Sequence, residues 1–140
     1  MMHQIFFGSI LIMVTVVVES VFIALAAKWL TANRDRLGSN HSVLRNAGLL
    51  GLVTLWLLAG ISIGLWIWAL LFLQIGEFDS LLDALYFSSV SATTLGYGDS
   101  LLTDDWKLLS GFIAANGLIL FSLNTAFLFE TLRRLLDSNA

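Results

Sequence analysis

The sequence predicts an all-α membrane protein with three transmembrane helices and one short re-entrant helix. Hydrophobic residues make up 58% of its 140 residues, and only 12% are charged. A water-soluble domain carries about 25% charged residues, and one of this size cannot bury so much apolar surface. The mean hydropathy of +0.88 agrees with a membrane location. Composition therefore excludes an intrinsically disordered chain and argues against a cytosolic enzyme.

The placement of the charges divides the chain into three long apolar segments. They cover about residues 5–30, 48–74 and 106–132. Each exceeds the roughly 20 residues that a helix needs to cross about 30 Å of hydrocarbon. Within lipid such a segment is helical, because every backbone amide must find its partner inside the segment. For the third helix we expect Thr103 as the N-cap, with Asp104 and Asp105 in the first turn.

A fourth apolar stretch, residues 81–94, is too short to cross a membrane, since as a helix it measures about 20 Å. Asp79 or Ser80 can cap its start, and Asp83 stands in a capping-box-like position three residues after Ser80. It runs into Gly96-Tyr97-Gly98, which cannot continue a helix. Irregular backbone at membrane depth is tolerated only where it is buried in protein or lines a water-filled path. This stretch therefore predicts a re-entrant loop and points to transport.

Basic residues indicate the orientation of the helices. They occur in the linker between the first two helices and in the C-terminal tail: Lys28, Arg34, Arg36, Arg45, Arg133 and Arg134. By the positive-inside rule, the linker and the tail are cytoplasmic, and the N-terminus and the re-entrant segment face outward. Trp66, Trp68 and Trp106 lie near the outer ends of their helices, at the interfacial depth that tryptophan favours.

The first helix carries one charge, Glu19. A cleaved signal peptide is the alternative interpretation, because Ala24-Leu25-Ala26 resembles a cleavage site. However, no positive charge precedes the apolar run, Glu19 interrupts it, and the run is long for a signal peptide. An intramembrane acid usually faces protein. We therefore expect Glu19 to contact another helix, along a small and polar stripe that is suited to helix packing. The stripe comprises Gly8, Thr15, Glu19 and Ala26.

The most informative segment is residues 93–99, Thr-Thr-Leu-Gly-Tyr-Gly-Asp. Two glycines two residues apart permit backbone angles that other residues avoid. Alternating left- and right-handed angles can turn successive carbonyls to one side, and four such strands around an axis make rings of oxygens that replace an ion's water shell. Thr94 adds a hydroxyl ring, and the preceding helix points its negative dipole end at a cation. The alternative is a glycine-rich turn in a helical bundle.

This segment resembles the selectivity filter of potassium channels, Thr-(Val/Ile/Leu)-Gly-Tyr-Gly-Asp. The resemblance covers about residues 48–135, because Tyr86-Phe87 resembles the aromatic pair of the pore helix and Trp106 the residue that often opens the inner helix. It implies a homotetramer with C4 symmetry, passive K⁺ conduction, and K⁺ ions in the filter. The residues implied at the ion sites are Thr94, Leu95, Gly96, Tyr97 and Gly98, with Thr93 and Asp99 as filter support.

The apolar segments and the resemblance together predict a division of the chain. The parts are a first transmembrane helix (1–30), a basic cytoplasmic linker (31–47), a pore domain (48–136) and a tail (137–140). Within the pore domain we expect an outer helix (48–74), a pore helix (80–93), a filter (94–98) and an inner helix (104–134).

The sequence departs from the family in several places. Proline often follows the filter aspartate in the family, but Asp99 is followed by Ser-Leu-Leu-Thr. Some bacterial pores place a glutamate behind the filter, where this chain has Val90, so a carboxylate brace to Asp99 from that position is not expected. No helix has arginine at every third position, which argues against a voltage sensor. Only six residues follow Arg134, so we do not expect an attached nucleotide- or calcium-binding domain, and the resemblance leaves the first helix unexplained.

One face of the inner helix is expected to line the ion path. Leu118, Phe121, Thr125 and Phe129 recur at spacings of three or four and share that face, although ordinary helix packing is the alternative. A ring of Phe129 side chains near the cytoplasmic end can close the path by dewetting. Gly117 is either a hinge or a packing contact.

The expected function is potassium-selective conduction in a lipid bilayer, in the plasma (inner) membrane. A nonselective cation channel on the same scaffold and a non-conducting membrane scaffold are the alternatives; Tyr97 argues against the first and an intact filter pattern against the second. We expect no enzymatic activity, no cofactor besides K⁺ ions and no nucleic-acid partner. The chain has two histidines and no cysteine, which argues against a resident metal site.

Overall fold

The computed structural model describes residues 2–33 and 43–137, which form four helices. The helices are α1 (Met2–Ala32), α2 (Val43–Gln74), α3 (Leu81–Ala92) and α4 (Leu108–Asp137). No strand occurs within the described ranges, so the predicted all-α class is confirmed. Most of the predicted linker falls on residues 34–42, outside the described residues.

Three of the helices are long and apolar enough to cross a membrane. Their candidate spans contain 31 residues in α1, 31 in α2 and 29 in α4. At a rise of about 1.5 Å per residue, each is longer than the hydrocarbon core. α3 has only 12 residues. The predicted pattern of three spanning helices and one short helix is therefore confirmed.

The chain leaves α2 through a glycine turn. Gly76 has a φ of +77°, a left-handed conformation that costs a glycine little. Its amide donates to the Leu73 carbonyl at 3.1 Å, and the Glu77 amide donates to the Phe72 carbonyl at 3.0 Å. These two bonds form a Schellman motif, which satisfies the last carbonyls of the helix. α2 therefore ends at a defined point and returns the chain toward α3.

α3 begins with the predicted capping interaction. Ser80 has extended backbone angles, φ −123° and ψ 144°. Its hydroxyl oxygen accepts a hydrogen bond from the Asp83 amide at 3.1 Å, and the hydroxyl donates to Asp83 Oδ2 at 2.7 Å. Of the two candidate caps, Ser80 is the one used.

α4 begins at Leu108, four residues later than predicted. The expected N-cap, Thr103, is bound elsewhere: its amide donates to Glu77 Oε2 at 2.8 Å and its hydroxyl to Glu77 Oε1 at 2.6 Å. Residues 104–107 form a turn instead. The Leu108 backbone amide donates to Oε1 of Gln4 in α1 at 3.1 Å, and Nε2 of the same Gln4 side chain donates to the Asp105 carbonyl. The start of α4 is thus fixed by a side chain from a different helix.

The core lies where α3 docks between α2 and α4. Phe87 of α3 packs edge-on against Phe72 of α2, with ring centroids 5.2 Å apart. Trp68 is fully buried because it packs on Phe72 at a centroid distance of 5.9 Å, and its interfacial depth stays a prediction. The buried residues of this cluster are Trp68, Ala69, Phe72, Ala84, Phe87, Ala92, Leu109 and Ile113. This core holds α3, and with it the loop that follows.

α1 packs on α2 and α4 through a narrow stripe. Its buried residues are Gln4, Gly8, Thr15, Glu19 and Ala26. The last four are the stripe predicted from the sequence, so that prediction is confirmed. Gly8 allows a close approach to α4, because a Cβ atom at this position would lie 2.5 Å from Cδ1 of Phe112. Large apolar side chains such as Phe6 stay exposed, as suits a surface in contact with lipid.

Candidate functional site

The site is the glycine loop, which we define as residues 93–99. It starts at the C-terminus of α3 and is attached to that helix by backbone hydrogen bonds. The amides of Leu95 and Gly96 both donate to the Val90 carbonyl, at 3.0 Å and 3.3 Å. A helix C-terminus carries partial negative charge on its last carbonyls. The loop therefore begins in a position where α3 favours a nearby cation.

The backbone of the loop alternates in handedness. Thr94, Gly96 and Gly98 have φ of +59°, +54° and +79°, whereas Leu95 and Tyr97 have negative φ. Thr94 is the only non-glycine residue with positive φ in the described part of the chain, and this conformation costs about 1–2 kcal/mol. Alternation of this kind is the pattern from which a row of carbonyl oxygens facing one side is built.

The carbonyl groups of the loop are available to a ligand. None of the hydrogen bonds within residues 2–33 and 43–137 ends on a carbonyl oxygen between Thr94 and Gly98. The side chains are also uncovered, with Leu95 56% and Tyr97 68% exposed in the single chain. Across the same described ranges, no group of three or more His, Cys, Asp or Glu side chains is arranged to hold a metal ion. The backbone carbonyls of the loop and the hydroxyl of the exposed residue Thr94 are thus oxygen atoms that an ion can reach.

The far end of the loop is tied to α3 by a side chain. The Tyr86 hydroxyl donates a hydrogen bond to Oδ2 of Asp99 at 2.8 Å. This bond to the neutral phenol, together with the adjacent negative charge, raises the pKa of Tyr86 above its usual value. Val90 has no carboxylate that could bind Asp99. Asp99 is bound by Tyr86, which lies one helical turn before Val90 in α3.

A second anchor lies just beyond the loop. Glu77, which follows α2, accepts two hydrogen bonds from Thr103, one from the amide and one from the hydroxyl. The segment before α3 and the segment after the loop are thereby joined. In the turn that follows Thr103, Lys107 and Asp104 form an ion pair at 2.9 Å. This contact lowers the pKa of Asp104 and raises that of Lys107.

One face of α4 is left uncovered by the rest of the chain. Leu118 is 56%, Phe121 37% and Phe129 69% exposed, and Thr125 is exposed as well. The Thr125 hydroxyl donates to the Phe121 carbonyl at 2.8 Å. The opposite face of α4 is the packed one. The four residues expected to line the ion path therefore share a surface that remains open to other molecules.

Gly117 lies at the contact between α4 and α3. A Cβ atom on Gly117 would overlap the Ala92 carbonyl oxygen. The last turn of α3 can approach α4 this closely only because residue 117 has no side chain. Of the two roles expected for this glycine, close packing is present, and the hinge stays a prediction.

Polar contacts join the middle of α1 to the rest of the bundle. Thr15 donates a buried hydrogen bond to Oδ1 of Asn116 in α4 at 2.8 Å. Glu19 is fully buried, and a Cβ atom on Gly60 of α2 would lie 2.5 Å from its Oε2. The expected contact of Glu19 with another helix is therefore present.

Three residues that position the site were missed by the sequence analysis. Gln4, Tyr86 and Glu77 each bind a partner outside their own helix or turn. Tyr86 was noted as part of an aromatic pair, but no partner was predicted for its hydroxyl group. Asp99, the acid at the end of the loop, could have indicated that partner. Gln4 and Glu77 carry no such signal, because a single polar residue at a helix end has many possible partners.

Comparison with known proteins identifies the family. A family model described as an ion channel matches residues 51–134. The match covers most of α2, all of α3 and the glycine loop, and most of α4, which is more than half of the chain. The chain therefore belongs to this family of ion channels, which is not a family of enzymes, and is an integral membrane protein. No curated protein and no solved structure matches the chain.

Proposed function

We propose that this ion channel is potassium-selective, with Thr94–Gly98 as its filter. The observation that carries the proposal is the alternation of φ at Thr94, Gly96 and Gly98 in a loop whose carbonyls have no partner in the described chain. Stacked rings of such oxygens can replace the water around a dehydrated K⁺ ion. Thr93 and Asp99 support the filter from its two ends. The ions are cargo, and no cofactor is needed.

The proposed assembly is a homotetramer with C4 symmetry. One chain supplies a single strand of the filter, and four strands about one axis complete each ring of carbonyls. The exposure of the glycine loop and of the Leu118–Phe129 face supports this proposal, because both surfaces can be covered by other copies of the chain. Each subunit then contributes the same residues to the ion path.

The proposed orientation places the N-terminus outside and the C-terminus in the cytoplasm, in the plasma (inner) membrane. The residues around the filter entrance are then mostly acidic. They are Glu77, Asp79, Asp83, Asp99, Asp104 and Asp105, with Lys107 as the basic exception. Such a surface concentrates cations at the entrance, over a distance of about 8 Å at physiological salt.

The inner helix forms the inner part of the proposed path. Leu118, Phe121 and Thr125 line a cavity below the filter, and Phe129 narrows the cytoplasmic end. A ring of phenylalanine side chains can exclude water and so stop ions without closing completely. Gly117 is the point about which α4 can bend.

The test is an ion flux measurement on the purified protein in liposomes, comparing K⁺ with Na⁺. We expect K⁺ to pass and Na⁺ to be excluded. In Gly98→Ala, a methyl group opposes the left-handed backbone, and we expect K⁺ flux to be lost while the protein still assembles. Gly51→Ala is the matched control, because a Cβ atom on Gly51 meets nothing within 4 Å. Selective flux that is undiminished in Gly98→Ala contradicts the filter assignment.

The same measurement separates the two alternatives. Equal flux of K⁺ and Na⁺ through the parent protein indicates a nonselective cation channel on this scaffold. The absence of any cation flux, with the protein folded and inserted, indicates a membrane scaffold. The complete Thr-Leu-Gly-Tyr-Gly-Asp sequence of residues 94–99 favours the selective channel.

A further inference from the structure

Glu19 and Asn124 form an isolated polar pair inside the apolar bundle. Glu19 is 0% and Asn124 6% exposed. The side chain of Asn124 in α4 is a polar neighbour of the Glu19 carboxyl group in α1. Gly60 of α2 closes a third side, since a Cβ atom there would lie 2.5 Å from Oε2 of Glu19. Space for the carboxyl group thus exists because residue 60 is glycine.

No charged group on the surrounding helices can neutralise Glu19. α2 has no ionisable side chain from Asn46 to Gly76, and α4 has none from Leu108 to Phe129. In α1 the nearest is Lys28, about 13 Å further along the helix axis. On α4 the nearest is Glu130, which is paired with Arg134 at 2.7 Å. An unpaired charge at this depth is costly, so Glu19 is the one group here that can respond to protons.

The hydrogen-bonding capacity of the pair depends on one proton. All four polar side-chain atoms of Glu19 and Asn124 are buried and lack a hydrogen-bond partner within the described residues. A protonated carboxyl group and a primary amide are complementary, because each can donate one hydrogen bond and accept another. A carboxylate has no hydrogen to donate. The carboxylate can accept one hydrogen bond from Nδ2 of Asn124. Its other oxygen, which is negatively charged, repels Oδ1 of Asn124.

We propose that Glu19 and Asn124 form a proton-binding site that couples α1 to α4. With the proton bound, two hydrogen bonds join the helices at this level; when it is released to water, at most one remains. Asn124 precedes Thr125 and lies between Phe121 and Phe129 in the sequence. A shift of α4 at this level therefore changes the ion path, a step that rests on the function proposed above. Conduction depends on pH through this site.

The experiment uses the full chain in lipid vesicles. Infrared difference spectra between acid and alkaline buffer report the C=O band of a protonated carboxyl group. We expect a band that is lost in Glu19→Gln and that moves to higher frequency in Asn124→Leu, where a hydrogen bond to the carboxyl group is removed. Glu130→Gln is the matched control, because it removes an exposed carboxylate from α4, and the band should persist. Since glutamine keeps a donor and an acceptor, flux through Glu19→Gln should match that of the parent in acid at every pH.

Two results would overturn the proposal. One is an infrared spectrum that is the same in the parent and in Glu19→Gln. The other is a pH dependence of flux that Glu19→Gln retains in full. Flux is measured with both K⁺ and Na⁺. If the two ions pass equally well, potassium selectivity is contradicted, but the pH dependence of flux still tests the proton-binding site. If no cation passes, the function proposed above fails, and the infrared band alone decides whether Glu19 binds the proton.

Discussion

The Tyr86 hydroxyl donates a 2.8 Å hydrogen bond to Oδ2 of Asp99, which joins α3 to the far end of the glycine loop. The near end of the loop is attached to the same helix through the Val90 carbonyl, which accepts from the amides of Leu95 and Gly96. Both ends of the loop are thus held by one short helix. Because α3 is itself fixed in the core, it can maintain a strained, alternating backbone that the loop's own contacts do not stabilise.

The Tyr86–Asp99 bond can be tested by titration. The protein has two tyrosines, so Tyr97→Phe leaves Tyr86 as the only source of phenolate absorbance. We expect Tyr86 to ionise above the usual tyrosine value of about 10, because Asp99 accepts from the neutral phenol and repels the phenolate. Because the pKa of Tyr86 is higher in the folded state, the bond contributes its full stabilisation at pH values below the pKa of the unfolded state. That contribution is lost as the pH rises through the pKa of Tyr86 in the folded protein.

The control for this titration is Asp99→Asn in the Tyr97→Phe background. It removes the negative charge and keeps a side chain of nearly the same shape. We expect Tyr86 to ionise at a lower pH in this variant. Identical titration curves with aspartate and asparagine at position 99 are the result that refutes the interaction.

Gln4 should contribute to stability as a cap for α4. Gln4→Leu leaves the Leu108 amide without its partner, and we expect the free energy of unfolding to fall by about 1 kcal/mol, as for the loss of a helix cap. Denaturation in mixed detergent micelles measures this change. Ser9→Leu replaces an exposed polar residue of the same helix and should be close to neutral. A Gln4→Leu variant as stable as Ser9→Leu would exclude the capping role.

Substitution by alanine should lower the stability of the protein at Gly117 and raise it at Gly51. In an open helical position, alanine is more stabilising than glycine by up to about 1 kcal/mol, and we expect that gain at Gly51. At Gly117 the methyl group meets the Ala92 carbonyl, and overpacking costs about 1–3 kcal/mol. Thermal unfolding of the two variants gives the comparison. A Gly117→Ala protein that gains stability contradicts the close contact between α3 and α4.

Phe129 should restrict the inner end of the proposed path. Phe129→Ala widens a ring of aromatic side chains and weakens dewetting, so we expect a higher resting K⁺ flux. Phe127→Ala is the matched control, because it makes the same change two residues away on a less exposed face of α4. If both variants leave resting flux at the parent level, Phe129 packs against lipid or another helix.

Local patterns predicted most of the architecture. The three apolar helices, the Ser80 cap and the small and polar stripe of α1 follow from residue spacing within single segments. The start of α4 could not be predicted in this way, because Thr103 is bound by Glu77 from a distant part of the chain. The burial of Trp68 could not be predicted for a related reason, because it depends on Phe72 and on the docking of α3.

For the glycine loop, too, some features could be predicted from local spacing and others could not. Its glycine spacing indicated alternating backbone angles, and the alternation is present. The hydrogen bond that holds Asp99 could not be derived from spacing, because Tyr86 meets the acid only after the chain has turned back along α3. Contacts between segments that are far apart in sequence depend on the docked helices, which no local pattern specifies.

The most direct test of the proposed function is the reversal potential of the current in a planar bilayer, with K⁺ on one side and Na⁺ on the other. This potential reports the ratio of permeabilities and does not depend on how much protein is inserted. If carbonyls of residues 94–98 replace the water shell of K⁺, the reversal potential lies far from zero, on the side set by K⁺ permeability. A reversal potential near zero, with currents that depend on the protein, would contradict the potassium-selective filter.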